Sequence, residues 1–122
     1  MSEKKIILII EDNPYNREIA VTVLEKEGYT TITAETGKEG LEKLREASPD
    51  LVLLDLALPE MSGWEVVKEI RSDEKFALLP VIALTAHAMS GDRKRAIQSG
   101  CSSYLSKPCR PGDISNEVKK FI

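Results

Sequence analysis

The chain alternates between two kinds of hydrophobic pattern. Short, nearly continuous apolar runs occur at residues 6–10, 51–54 and 81–84, and such runs are typical of strands buried on both faces of a parallel sheet. Residues 29–34 and 103–106 are more polar, which suits strands at the less buried edges of a sheet. The pattern therefore predicts five strands, of which the first, third and fourth are central.

Segments with helical spacing of apolar residues separate these strands. They cover residues 14–27, 37–47, 63–71, 91–99 and 110–122. The first has well-marked ends, because Asn13 can cap it, Pro14 suits the first helical position and Gly28 can adopt the left-handed conformation. Strands and helices that alternate through short connections predict an α/β fold. We expect a doubly wound, flavodoxin-like parallel sheet of order 2-1-3-4-5, flanked by five helices.

Length and composition indicate a single domain over residues 1–122, with 42% hydrophobic residues. The longest apolar run is too short to cross a bilayer and residues 1–5 carry no secretory pattern, so we expect a cytoplasmic protein without a membrane partner. The net charge of -3 argues against direct nucleic-acid binding. Cys101 and Cys109, with one histidine in the chain, cannot complete a structural zinc site, so both thiols are expected to be free.

Polar residues at the predicted strand ends carry the candidate chemistry. The carboxyl ends of parallel strands meet at one edge, so we expect these residues to converge there: Glu11, Asp12, Asp55, Thr85 and Lys107. Three carboxylates packed together repel one another unless a hard cation lies among them. Mg²⁺ fits best, because it prefers one or two carboxylates, a carbonyl and retained waters.

Asp55 is the candidate nucleophile of this edge. Its carboxylate can attack phosphorus while Mg²⁺ and the ammonium of Lys107 offset charge on the equatorial oxygens. Thr85 can donate a hydroxyl hydrogen bond to one of those oxygens. The residues therefore predict phosphoryl transfer to Asp55.

Four motifs resemble the receiver domain of two-component response regulators, the CheY-like superfamily. They are IILIIEDN, LVLLDLALPEMSGWE, VIALTAHA and YLSKP, which stand in the family's order and spacing and cover essentially the whole chain. The resemblance implies a phosphorylation-controlled signalling switch. Its phosphodonor would be a histidine kinase or a histidine phosphotransfer protein, and its output a downstream effector protein.

The resemblance also implies which residues bind Mg²⁺. Asp55 would be the phosphoacceptor and Asp12 a direct ligand of Mg²⁺, while Glu11 would act on the metal through water. The backbone carbonyl of Ala57 would be a further ligand.

The remaining roles concern the phosphoryl group and the output. Lys107 would contact the phosphoryl group, with a cis bond to Pro108, and Thr85 and Tyr104 would form the switch pair. Position 57, held by Ala57, and position 87, held by His87, vary in this family and tune the lifetime of the phosphoryl group.

Two other function classes compete with the switch. A Mg²⁺-dependent phosphohydrolase of the haloacid-dehalogenase type would need a second aspartate two residues after Asp55, where this chain has Ala57. A degenerate receiver acting as a scaffold is disfavoured because every chemical position is filled. We therefore expect no enzymatic activity beyond self-catalysed phosphoryl transfer and autodephosphorylation. The chain ends with the predicted fifth helix, so we expect a stand-alone receiver or a receiver cut from a longer protein.

Overall fold

The computed structural model describes residues 4–85, 92–107 and 110–122. The strands are β1 (Ile6–Ile10), β2 (Thr30–Ala34), β3 (Leu51–Asp55), β4 (Val81–Thr85) and β5 (Ser103–Ser106). The helices are α1 (Pro14–Lys26), α2 (Gly37–Ala47), α3 (Gly63–Ser72), α4 (Asp92–Gln98) and α5 (Pro111–Lys119), with a 3₁₀ turn at Glu74–Phe76 between α3 and β4.

The five strands form one parallel sheet of order β2-β1-β3-β4-β5, which confirms the predicted topology. Every residue of β3 and β4 is buried, whereas β2 and β5 keep partly exposed positions, as expected for edge strands. Because all strands run in one direction, their carboxyl ends lie along the same edge. Asp55 and Thr85 are the last residues of β3 and β4 at that edge.

Alternate residues of the central strands point to two separate hydrophobic layers. One layer packs against α2, α3 and α4 and contains Leu8, Ile10, Val52, Leu54, Val81 and Ala83. The other packs against α1 and α5 and contains Ile7, Ile9, Leu51, Leu53 and Ile82. This explains why the central strands are continuous apolar runs in the sequence, since both of their faces are covered.

Local signals place the ends of α1 as expected. The Asn13 side chain accepts hydrogen bonds from the backbone N–H groups of Tyr15 and Asn16, at 2.9 and 3.1 Å, and Gly28 has φ +99°. One helix boundary was wrong, because the fifth helix ends at Lys119 rather than at the end of the chain. The 3₁₀ turn at Glu74–Phe76 had no counterpart in the sequence prediction. Across the described residues, the helices are all too short or too polar to cross a membrane.

Candidate functional site

Three carboxylates meet at the carboxyl edge of the sheet. Glu11 and Asp12 follow β1 directly and Asp55 ends β3, and each offers an oxygen within 4.8 Å of the others. Glu11 and Asp55 are buried, with 2% and 4% of their surface exposed, whereas Asp12 is exposed. The cluster thus has two oxygens within the protein and one at the solvent boundary.

Lys107 bridges the two buried carboxylates. Its ammonium Nζ lies 2.7 Å from Glu11 Oε1 and 3.1 Å from Asp55 Oδ2. Its backbone N–H donates to the carbonyl of Thr85 at 2.6 Å, which holds Lys107 at the rim just beyond β5. This backbone contact with β4 therefore fixes Lys107 at the carboxyl edge, close enough for its side chain to contact both carboxylates.

The pKa values of this pair follow from burial and contact. Burial raises the pKa of Glu11 to about 7, and the adjacent Asp55 carboxyl adds to the rise while Lys107 opposes it. Burial alone would lower the pKa of Lys107, but its contacts with Glu11 and Asp55 outweigh this and raise the value. Ionising Glu11 beside Asp55 is thus unfavourable without more positive charge than one lysine supplies.

A hard divalent cation fits this donor set. All the donors are carboxylate oxygens, which Mg²⁺ prefers, and the exposed Asp12 leaves room for the waters that Mg²⁺ retains. One ammonium beside three carboxylates leaves negative charge that such an ion would offset.

The loop after β3 is held close to Asp55. The backbone N–H of Ala57 donates to Asp55 Oδ1 at 3.0 Å, so Ala57 lies at the same rim as the carboxylate. Gly63, the first residue of α3, donates its N–H to the carbonyl of Leu56 at 3.0 Å. A Cβ at Gly63 would stand 2.6 Å from the carbonyl oxygen of Asp55, so only glycine permits this approach.

Thr85 and Tyr104 occupy neighbouring strands on one face of the sheet. Thr85 is buried at the end of β4. Tyr104 pairs with Ala83, two residues before Thr85, and therefore shares its face. The half-buried Tyr104 packs against the layer that contains Ala96 of α4. The structure thus places one candidate switch residue at the rim and the other beside α4.

Arg17 is a residue of this rim that the sequence analysis missed. Its Nη1 donates to the carbonyl of Glu11 at 3.0 Å and lies 3.5 Å from that of Asp12, and its Nη2 is 3.2 Å from Glu35 Oε1. One signal could have found it. Arg17 is a cation in the first turn of a helix, where the helix dipole disfavours positive charge.

Some sequence expectations fall on residues outside the described ranges. They are His87, Cys109 and the cis bond between Lys107 and Pro108. Cys101 is described, and it is a free, buried thiol as expected.

Comparisons with known proteins agree with this geometry. A family model described as the response regulator receiver domain matches residues 7–119. The polar-differentiation response regulator DivK of Brucella ovis is 42% identical over 118 residues, which is 97% of this chain and 96% of the relative.

Two solved structures are also similar to this chain. Chemotaxis protein CheY4 of Vibrio cholerae is 25% identical with a TM-score of 0.93, and the match covers 98% of this chain and 100% of that one. The receiver domain of sensor histidine kinase PA1611 from Pseudomonas aeruginosa is 31% identical with a TM-score of 0.89, and the match covers 98% of both chains. That second structure has a magnesium ion coordinated in its active site cleft.

Proposed function

The chain belongs to the response regulator receiver domains, and from this premise we propose that Asp55 is the residue on which it accepts its phosphoryl group. It is a phosphorylation-controlled signalling switch of a two-component system. The observation that carries the assignment is the contact of Lys107 with both buried carboxylates, at 2.7 and 3.1 Å, beside the exposed Asp12.

Receiver domains bind Mg²⁺ in their active sites, and the ion would be held here by Asp12, Asp55 and the carbonyl of Ala57, with Glu11 acting through water. When bound, Mg²⁺ supplies positive charge beside the transferring phosphoryl group. The protein itself orients the nucleophile. The N–H of Ala57 holds one oxygen of Asp55 and Lys107 contacts the other, so the carboxylate is fixed before the donor arrives.

In the proposed transfer, an Asp55 oxygen forms a bond to phosphorus as the bond from phosphorus to the donor histidine nitrogen breaks. The electron pair of the broken bond stays on the imidazole. The Lys107 ammonium then contacts a phosphoryl oxygen instead of the carboxylate. The Thr85 hydroxyl donates a hydrogen bond to another phosphoryl oxygen. Thr85 and Tyr104 would pass the change to the face beside α4.

Receiver domains interact with histidine kinases and downstream effectors, and the specific donor proposed is a histidine kinase or a histidine phosphotransfer protein. We place this exchange in the cytoplasm, where receiver domains typically act. The chemistry proposed is limited to self-catalysed phosphoryl transfer and loss of the phosphoryl group. The position two residues after Asp55, where a phosphohydrolase would carry its general acid, is Ala57, whose side chain has no acidic group.

Incubation with acetyl phosphate and Mg²⁺, followed by intact mass spectrometry, tests the acceptor assignment. We expect one Mg²⁺-dependent, alkali-labile phosphoryl group per chain in the wild type and none in Asp55→Asn. Asp73→Asn is a matched control, because Asp73 is exposed and an asparagine can still cap the 3₁₀ turn. Full labelling of the Asp55→Asn variant would show that another residue is the acceptor.

A further inference from the structure

Arg17 contacts the backbone that carries the acidic pair. The guanidinium donates to the carbonyl of Glu11 at 3.0 Å, and it lies at the longer distance of 3.5 Å from the carbonyl of Asp12. Both residues also contribute a side chain to the carboxylate cluster. We infer that Arg17 is a positioning residue, which holds the turn between β1 and α1 in the conformation that binds Mg²⁺. The inference rests on the function proposed above.

The location of Arg17 is unfavourable for the helix alone. The first turn of α1, which is described throughout, contains no acidic residue, and a cation there opposes the helix dipole. The Arg17 side chain is also mostly covered, with 19% of its surface exposed, so its charged group needs hydrogen-bond partners. The two carbonyls supply them, and the arginine is thereby tied to the metal-binding turn.

Glu35 forms an ion pair with the second terminal nitrogen of the Arg17 guanidinium. Its carboxylate lies 3.2 Å from Arg17 Nη2, and its backbone N–H donates to Glu39 Oε1 at 2.7 Å at the start of α2. Arg17 therefore links the turn after β1 to the turn after β2. Because Glu35 is 67% exposed, this ion pair is screened by solvent, and we assign the positioning mainly to the carbonyl contacts.

Charge and geometry predict opposite effects of removing Arg17. A guanidinium near a cation site repels the cation, so loss of its charge alone would tighten Mg²⁺ binding. Loss of a group that orients the ligands weakens metal binding, typically about 10- to 100-fold for residues that support the ligands without touching the metal. The sign of the change therefore distinguishes positioning from electrostatics.

The test titrates Mg²⁺ into metal-free protein. Calorimetry and amide chemical shifts each measure the Mg²⁺ dissociation constant. We expect Arg17→Gln to weaken binding about 10-fold. Arg17→Lys keeps the charge and one donor group, so it should restore part of that loss. Arg45→Gln removes an exposed guanidinium from α2 and should leave the affinity unchanged. Glu35→Gln breaks only the ion pair and should change the affinity less than about two-fold.

Several outcomes would overturn the inference. Unchanged or tighter Mg²⁺ binding in Arg17→Gln would do so, as would a loss in Glu35→Gln as large as that in Arg17→Gln. A lowered melting temperature without a change in affinity would show a purely structural role. If Arg17→Gln does not fold, Arg17→Lys carries the test, and an affinity equal to wild type then contradicts the inference. Failure of the wild type to bind Mg²⁺ would instead contradict the proposed function.

Discussion

At the scale of residues, Cys101 and Arg71 lie near each other at the end of the sheet opposite to the carboxylates. The Arg71 guanidinium donates to the carbonyls of Gly100 and Phe76, each at 2.8 Å, and so ties α3 to the segment before β5. Cys101 lies beside it within the hydrophobic layer. Burial raises the pKa of the Cys101 thiol from its ordinary value of 9.0 to about 11, although nearby Arg71 opposes the rise.

This pKa makes the stability of the fold depend on pH. The native thiol keeps its proton at pH values where the unfolded chain loses it, so its contribution is present below about pH 9 and is lost as the pH rises through about 11. We expect the free energy of unfolding of the wild type to fall relative to that of Cys101→Ala over that range, by roughly 3 kcal/mol at most. Urea unfolding at a series of alkaline pH values measures it. A constant difference would contradict the prediction, because Cys101→Ala lacks only this titrating group.

At the scale of elements, the first residue of α3 lies against the backbone of the loop after β3. Gly63 lies against the backbone of Asp55 and Leu56. The loop reaches this position through Glu60, which has φ +64°, a left-handed conformation that is unfavourable for residues other than glycine. The start of α3 therefore packs directly against the backbone of Asp55, the candidate phosphoacceptor.

We expect Gly63→Ala to destabilise the protein by about 1–3 kcal/mol, because its methyl group would meet backbone atoms that cannot rotate away. It should also slow phosphorylation of Asp55 by acetyl phosphate, since the loop must shift. Gly112→Ala is the control. No described atom lies within 4 Å of a Cβ there, so alanine should leave α5 equally stable or stabilise it by up to about 1 kcal/mol. Equal effects of the two substitutions on urea unfolding would contradict the close approach at Gly63.

At the scale of the whole molecule, the rim and α4 share one hydrophobic layer. Ala96 of α4 is fully buried in that layer, against which Tyr104 packs. The guanidinium of Arg95 lies 4.3 Å above the ring centre of Trp64, so α4 is also attached to α3. We expect a change at Thr85 to reach the surface of α4, where Ile97 is 44% exposed, through this layer.

We expect Thr85→Ala to leave Asp55 phosphorylatable, though more slowly, while weakening the response of this face. The phosphoryl group would offer Thr85 a charged acceptor, and we expect the Tyr104 ring to move into the space that the hydroxyl leaves. Only a few kcal/mol of differential stabilisation is needed for such a shift. Amide NMR spectra with and without beryllofluoride, a phosphoryl mimic, compare the two proteins. Equal perturbations around Ile97 and Tyr104 would rule out this coupling.

The sequence by itself determined the class of fold and the edge at which the chemistry lies. Continuous apolar runs require strands covered on both faces, and parallel strands place their carboxyl ends together, so Glu11, Asp12 and Asp55 had to converge. These inferences succeed because they depend on patterns within a few residues. The roles of Thr85 and Tyr104 stay predictions, as does the cis bond before Pro108.

Tertiary structure alone decided how the converging groups contact one another. Lys107 bonds to Glu11 and Asp55, which are 96 and 52 residues away in the chain, and only their distances show that it bridges both. The raised pKa of Glu11 depends first on burial, which no local pattern measures. From the sequence, Arg17 resembles any surface charge of α1. Only the structure shows the carbonyls of Glu11 and Asp12 beside its guanidinium. Such features arise from the packing of separate elements, whereas periodicity reports only the face that each element buries.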